Sequence, residues 1–317
     1  MSDGAHLLIP SASSEAQGCI EARRSLPLPA LEKLLARLDA SRVDEGEAHT
    51  LSMPHERELA RALGLQAPDG CIPWAAWHVA QAGRDTQGAA WAWVTPCHWR
   101  VGRDHIEMSH PRQLQLSAMQ SQALLAAMRP YFEQDGIALE YDAPTMWLAR
   151  GEVFRDFPSA SLDRVIGRTV DAWLPRSEAA RSIRRLQQEM QMLLYTDETN
   201  EQRLRAGQQP VNSFWVSGTG ALATPLPQRA QAAPQVVHAL RDAAMLEDWR
   251  GWASAWQQID LHECTQLLQS LDAGHGVSLT LCGERNARTW SGAGGNFLHG
   301  IIGRLRGKRA AATLESL

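Results

Sequence analysis

The ten residues VNSFWVSGTG, positions 211–220, constrain the fold of this chain more than any other stretch. Apolar side chains fall on both parities, Val211 and Trp215 against Phe214 and Val216. Successive side chains of a strand point to opposite faces, so such a run needs cover on both sides. A strand covered twice belongs inside a sheet with helices on its two faces. The rest of the chain supplies those helices. The predicted class is α/β or α+β, with a mixed β-sheet flanked by helices.

Periodicity along the chain gives the element order. His6–Ile9 reads as a short first strand, followed by a loop rich in Ser and Ala. Leucines at 28, 31, 34, 35 and 38 have amphipathic-helix spacing. Pro54 suits the first turn of the next helix, which Gly64 ends, and a third helix starts at Pro73 with Trp74 and Trp77. From Ala90 the period falls from about 3.6 to 2. Trp91, Trp93, Cys97, Trp99 and Val101 share one parity, and a turn around Gly102–Asp104 returns the chain through Ile106 and Met108. The expectation is a β-hairpin over 90–109.

Leu116–Phe132 is a predicted helix, and Ile137–Tyr141 and Met146–Leu148 are predicted strands. Helical segments near Leu162–Trp173 and Ser177–Leu194 follow, then a short helix capped by Gly207 and a strand over 211–217. The Pro/Ala-rich stretch 222–234 reads as a surface loop. Helices are expected over 235–258 and 260–272, with Asp260 and Glu263 spaced like a capping box. Val277–Leu281 and Arg288–Trp290 close the chain as strands, ahead of a terminal helix or basic tail. Phe157–Ser161 is the predicted boundary between an N-terminal α/β lobe, 1–158, carrying the hairpin and a C-terminal α/β lobe, 159–317, carrying the glycine turn. The length also allows one compact domain.

Composition narrows the functional classes. With 44% hydrophobic and 21% charged residues the chain is a folded one, and a formal charge of −4 gives no general attraction to nucleic acid or anionic lipid. The five cysteines include no C-x-x-C pair, which argues against a zinc ribbon and fits thiols kept reduced in cytosol. The apolar run Leu7–Ile9 is too short for a signal peptide, and no stretch approaches the ~20 apolar residues of a membrane span. A cytoplasmic protein without membrane attachment is expected.

The candidate ligand site lies around the opening stretch. Glycines 218 and 220 at the end of the 211–217 strand would let backbone N–H groups approach an anion. No helix follows them, however, and no P-loop lysine is present. A phosphate cradle and a tight turn after a core strand are both open readings. Asn200, Arg203, Asn212, Gly218, Thr219 and Gly220 are the candidate ligand-binding residues, with Arg203 as the anion clamp.

The run N-x2-R-x3-G-x4-N-x2-W-x2-G-x-G formed by Asn200, Arg203, Gly207, Asn212, Trp215, Gly218 and Gly220 resembles a segment of the archaeal-type cofactor-independent phosphoglycerate mutases. That resemblance implies a scaffold distantly like alkaline phosphatase, with a two-metal site and a Ser or Thr phosphoryl acceptor. The family opens with an Asp-Gly-x-Gly-Asp-like turn after its first strand, whereas HLLIP here runs into Ser11-Ala-Ser-Ser14. A broader resemblance adds PCHWRVGRDHIEM (96–108), FEQDGI (132–137), TMWLAR (145–150) and LTLCGE (279–284). Together these look like the RpfE-type regulatory proteins of proteobacteria. Set beside the missing acidic turn, the two resemblances imply a cytoplasmic, non-catalytic relative of the mutases, without catalytic residues or cofactor, with another protein as the expected partner and a phosphorylated small molecule as an optional further ligand. The alternative is a metal-dependent phosphoryl-transfer enzyme using Mn or Zn.

Three other clusters are weaker. Cys97, His98, His105 and His110 crowd the hairpin, but period-two geometry puts Cys97 and His98 on opposite faces. His98, Asp104 and His105 are the metal candidates, against a salt-bridged polar face in which Arg100 faces His105 and Glu107 faces His98. Trp249, Trp252 and Trp256 form one stripe of a helix, expected in the core, and Cys282 reads as a buried apolar residue. The basic run 304–309 is a solvated tail or an arm for single-stranded nucleic acid, the latter not the expected partner.

Overall fold

Among the described residues two large sheets, of five and four strands, each gather their own helices. The computed structural model describes residues 4–223, 233–293 and 309–317. The chain opens with β1 (Ala5–Ile9), α1 (Gln17–Arg24), α2 (Pro29–Arg37), β2 (Asp39–Asp44), α3 (Pro54–Ala62) and α4 (Trp74–Gln81). It continues through β3 (Ala90–Cys97), β4 (Trp99–Val101), β5 (Ile106–Met108), α5 (Ala118–Gln134), β6 (Ala138–Ala143) and β7 (Met146–Arg150). Next come α6 (Leu162–Val165), α7 (Arg181–Tyr195), α8 (Glu198–Arg205), β8 (Ser213–Ala221) and β9 (Gln235–Val236). The last elements are α9 (Ala239–Ala244), α10 (Trp249–Ile259), α11 (Thr265–Asp272), β10 (Gly276–Cys282), β11 (Ala287–Ala293) and α12 (Arg309–Glu315).

The first unit comprises Met1–His49, Met53–Gly64 and Gln228–Leu317. Its sheet has the order β2-β11-β10-β1-β9, parallel where β1 meets β10 and β9, antiparallel from β10 through β11 to β2. One face, through Leu7, Ile9, Leu279, Leu281 and Trp290, packs on Leu31 and Leu34 of α2 and on Trp252 and Trp256 of α10. The tryptophan stripe is therefore core, as its spacing predicts. The edge strand β2 carries Asp39, Arg42 and Asp44 and is largely exposed, a charged edge that discourages further pairing.

The second unit comprises Thr50–Ser52 and Leu65–Pro227. Its sheet, β6-β7-β3-β8, is antiparallel throughout. Phe214 and Val216 of β8 join a core with Leu125 and Met128 of α5 and Leu186 and Met190 of α7, while α4 packs against β8 and β3. The mixed α/β class follows, and β8 is a buried strand as its two-sided apolar pattern requires.

Several expectations change. The hairpin is confined to β4 and β5, whereas β3 lies between β7 and β8 as an interior strand. Its partners, not the next segment of chain, satisfy its backbone. Phe157–Ser161 lies within the second unit, where Ser159 N donates to Gly70 O at 3.0 Å and Ser159 Oγ donates to Val216 O. The stretch 235–258 holds a short strand and two helices instead of one helix. From Trp249 the chain then stays helical through a π turn, Asp260–Cys264, into α11, so Asp260 caps no helix of its own. Its buried carboxylate instead accepts from Ala30 N (3.0 Å) and Leu31 N (2.7 Å) at the start of α2. Most of the 222–234 loop and nearly all of the 304–309 basic run lie outside the described residues.

A charged group capping two buried N–H donors outweighs an ordinary surface cap. Replacing Asp260→Ala is expected to destabilise the protein by about 2–4 kcal/mol. Urea unfolding of the variant beside wild type measures it.

Candidate functional site

The polar residues of the N…R…G…N run gather at one end of the second unit, where they serve the backbone. Asn200 is buried on α8, and its Nδ2 donates to Leu194 O (2.8 Å) and Val211 O (2.7 Å), while its Oδ1 accepts from Val211 N (2.9 Å). It holds the end of α7 beside the lead-in to β8. Arg203 is wholly buried on the same helix. Four of its five N–H groups are engaged: Nε and Nη2 on Gln209 O (3.0 and 2.8 Å), Nη1 on Gln120 Oε1 (2.8 Å) and Nη2 on Leu114 O (2.5 Å). All these acceptors are carbonyl oxygens, so burial lowers the pKa of the guanidinium with no carboxylate opposing it. Asn212 exchanges two bonds with β4, donating to Trp99 O (2.9 Å) and accepting from Trp99 N (2.7 Å).

The glycines lie inside β8 rather than after it. The register against β3 shifts between Trp91 and Trp93, a β-bulge that carries Gly218 at φ 62° and Gly220 at φ 135°. A Cβ on Gly218 would approach the Trp93 ring to 2.8 Å, and one on Gly220 would approach Cys71 O to 3.0 Å. These positions are glycine because an indole and the chain entering α4 sit against them. Thr219 Oγ1, between them, donates to Phe157 O (2.5 Å), with Gly70 O also within reach at 3.1 Å.

The hairpin assembles a charged network. Its register sets Arg100 opposite Glu107, not His105, and the turn closes with Gly102 N donating to His105 O. Glu107 binds Arg100 and His105, and His105 Nδ1 lies 2.8 Å from Asp104 Oδ1. With both nitrogens on carboxylates, His105 has its pKa raised by Asp104 and then Glu107. His98 instead directs Nδ1 at Pro210 O, 2.9 Å away. Among the described residues, no three His, Cys, Asp or Glu side chains come together as a metal site. All five cysteines are free, and burial raises the pKa of Cys97 and Cys282.

The fold also gives a place to the Ser11–Ser14 loop, where the sequence lacks an acidic turn. Ligands of open α/β sheets collect beyond the carboxyl ends of parallel strands. In the first unit that place is the loop Ser11–Ser14 after β1, beside the turn after β10. Ser11, at φ 52°, offers its carbonyl to Trp252 Nε1 (2.9 Å), and Ala12 offers its own to Trp256 Nε1 (3.1 Å). Ala12 N donates to Cys282 O (2.7 Å). Ser13 Oγ accepts from Arg23 Nη1 (2.7 Å), and Ser14 Oγ donates to Glu284 Oε1 (2.5 Å). Both serines are buried. Their partners lie 10 residues away at Arg23 and 270 residues away at Glu284, a pairing that spacing along the chain does not reveal.

No protein-family model matches the chain, and no curated protein matches it. It is similar to a solved cofactor-independent phosphoglycerate mutase from Thermoplasma acidophilum DSM 1728 (12% identity, 100% of this chain and 99% of that chain covered, TM-score 0.39). It is also similar to the PH0037 protein from Pyrococcus horikoshii (11% identity, 98% and 92% covered, TM-score 0.50). The second likeness is one of fold. Among the described residues, no helix is long and apolar enough to cross a membrane.

Lysine cannot reproduce the fork of Arg203. Arg203→Lys is expected to lower stability by about 2–4 kcal/mol, read from chemical denaturation, because carbonyls lose donors in a buried setting. In the hairpin, His105 is expected to titrate above 6.5 and to fall back toward that value in Asp104→Asn. Its contribution to folding is complete below the unfolded pKa and disappears as pH rises through the folded one. An NMR titration of the imidazole protons measures both.

Proposed function

We propose that this protein is a regulatory or interaction protein of RpfE type, on a scaffold distantly related to the phosphoglycerate mutases, that binds a protein partner and does not transfer phosphate. The observation that carries the reading is the loop at the carboxyl end of β1. Two indoles, Arg23, Glu284 and the Cys282 carbonyl fasten it from within the first unit. Serines occupy the place where metal-dependent phosphoryl transfer needs carboxylates and imidazoles a few Å apart. Ser13 and Ser14 offer only neutral hydroxyls, already engaged by Arg23 and Glu284, and that single carboxylate falls short of the several that a two-metal site needs. The engaged hydrogen bonds of Asn200, Arg203 and Asn212 support the same reading, since none of the three is left as an open clamp.

Purified protein exchanged into excess Mn²⁺ or Zn²⁺ and then desalted is expected to retain less than one equivalent of metal by elemental analysis. It is expected not to interconvert 3- and 2-phosphoglycerate. Stoichiometric metal together with turnover abolished by chelator would establish an enzyme and overturn the proposal.

A further inference from the structure

One face of the sheet in the first unit is not apolar along its whole length. The registers place His6 beside Ser278, Ser278 beside Ser291, and Thr289 between Thr280 and Arg42, all on the face opposite Leu7 and Leu279. At the carboxyl end of β1 this face is closed by α3, whose Leu59 packs on Leu8, Cys282 and Ala287. At the other end it opens into a cavity of about 280 Å³, lined by His6, Arg42, Arg61, Ser278, Thr289 and Ser291 among others.

The floor of the cavity is a chain of hydroxyl groups. His6 Nε2 lies 2.8 Å from Thr280 Oγ1, which lies 2.8 Å from Thr289 Oγ1. Ser291 Oγ donates to Ser41 Oγ (2.7 Å), and Ser41 donates to Thr289 O (3.1 Å). The wall is charged. Buried Glu58 accepts from Arg42 Nε (2.9 Å) and from Arg61 Nη2 and Nε (2.7 and 3.2 Å). Burial resists the ionisation of Glu58, yet Arg61 and Arg42 together hold its carboxyl below the ordinary range. One carboxylate thus stands between two guanidinium groups. The neighbouring Asp44 is taken by Arg57 at 2.5 Å, with Arg42 more distant at 3.9 Å. Over these five groups three positive charges face two negative ones, with Arg42 and Arg61 in the cavity lining, while Asp39 stands opposite Ser291 in the register. Burial and then Arg61 lower the pKa of His6, which leaves a neutral imidazole suited to hydrogen bonding.

We infer that this cavity is a binding site for a small phosphate-bearing anion, held between Arg42 and Arg61 over the hydroxyl floor of Ser278, Thr289 and Ser291. The Arg42 and Arg61 side chains are 43% and 42% exposed, so an incoming anion can reach them. A tetrahedral oxyanion can meet donors from wall and floor together, whereas a carboxylate has only two oxygens. The volume, at the lower end for small-molecule sites, restricts the ligand to inorganic phosphate or the ester of a short carbon chain. The site is separate from the strand-end loop, so it stands or falls independently of whether the protein catalyses.

The test uses full-length protein, inorganic phosphate as the probe, and ¹H–¹⁵N NMR with calorimetry as the readouts. Phosphate is expected to bind saturably, to shift the amides of Ser278, Thr289 and Ser291, and to bind more weakly as salt rises. Arg61→Met is expected to weaken it about tenfold or more, the usual effect of losing a charge-assisted contact. Ser291→Ala leaves the Glu58 ion pairs untouched and is expected to weaken it several-fold, which keeps the test decisive should Arg61→Met fail to fold. Glycerol 3-phosphate binding more tightly than inorganic phosphate at these amides would make the ligand an ester, and the reverse order would make it free phosphate. No saturable binding, binding unaffected by Ser291→Ala, or acetate binding as tightly as phosphate would overturn the assignment.

Discussion

The parallel pairing of β1 with β10 is the interaction on which the first unit depends. It joins Ala5–Ile9 to Val277–Leu281, residues near opposite ends of the chain, and its register decides the face on which every side chain lies. In the observed register Leu7, Ile9, Leu279 and Leu281 enter the core with Trp252 and Trp256. A slip of one residue in β1 would turn His6 toward that core and Leu7 away from it. The strand-end loop fixes the register, because Ala12 N reaches Cys282 O and the two indoles hold the adjoining carbonyls. Closing so long a stretch of chain costs conformational entropy, but that cost grows only slowly with length. A few well-buried contacts at the closure therefore suffice to offset the difference between a short and a long connection.

Much of this architecture was legible in the sequence where a pattern was long enough to be periodic. The stripes in α7 and α10 and the two-sided β8 are of this kind, since burial of an apolar face is a local property repeated at a fixed spacing. The strand β2, DASRVD, was not legible: it carries no apolar alternation and is a strand because β11 presents it with an open edge. The two residues of β9 are too few to show any period. Asp260 and Glu263 have capping-box spacing, yet the π turn keeps the helix continuous and directs Asp260 to α2, some 230 residues away. The same limit explains the strand-end loop, whose serines have no local signature.

For the candidate site the residues were legible and their roles were not. Asn200, Arg203 and Asn212 draw attention because polar groups in an apolar frame must be satisfied by something, either a ligand or the protein's own backbone. Sequence spacing cannot separate these cases. The three-dimensional partners do, and here they are carbonyls and amides of α5 and the turn before it, α7, β4 and the lead-in to β8. The glycines behave alike: a glycine needed for close approach of a phosphate and one needed for close approach of an indole look identical in sequence.

The arginines make the distinction quantitative. Arg203 has only neutral carbonyl partners, whereas Arg42 and Arg61 share Glu58 and Arg42 also lies 3.9 Å from Asp44, so a count of charge does not separate structure from binding. Accessibility does. Arg203 is 0% exposed with four donors engaged, and an anion could reach it only by breaking the bonds that order α8. In Arg42 and Arg61 the bonds to Glu58 use Nε and, in Arg61, also Nη2. Both arginines line open volume together with hydroxyl groups. Desolvating an anion there costs less than in the interior, because Arg42 and Arg61 are partly exposed and the anion keeps contact with water. A binding arginine is therefore one whose orientation is fixed by a buried carboxylate while part of its fork remains available, and the first unit provides two of them around a single glutamate.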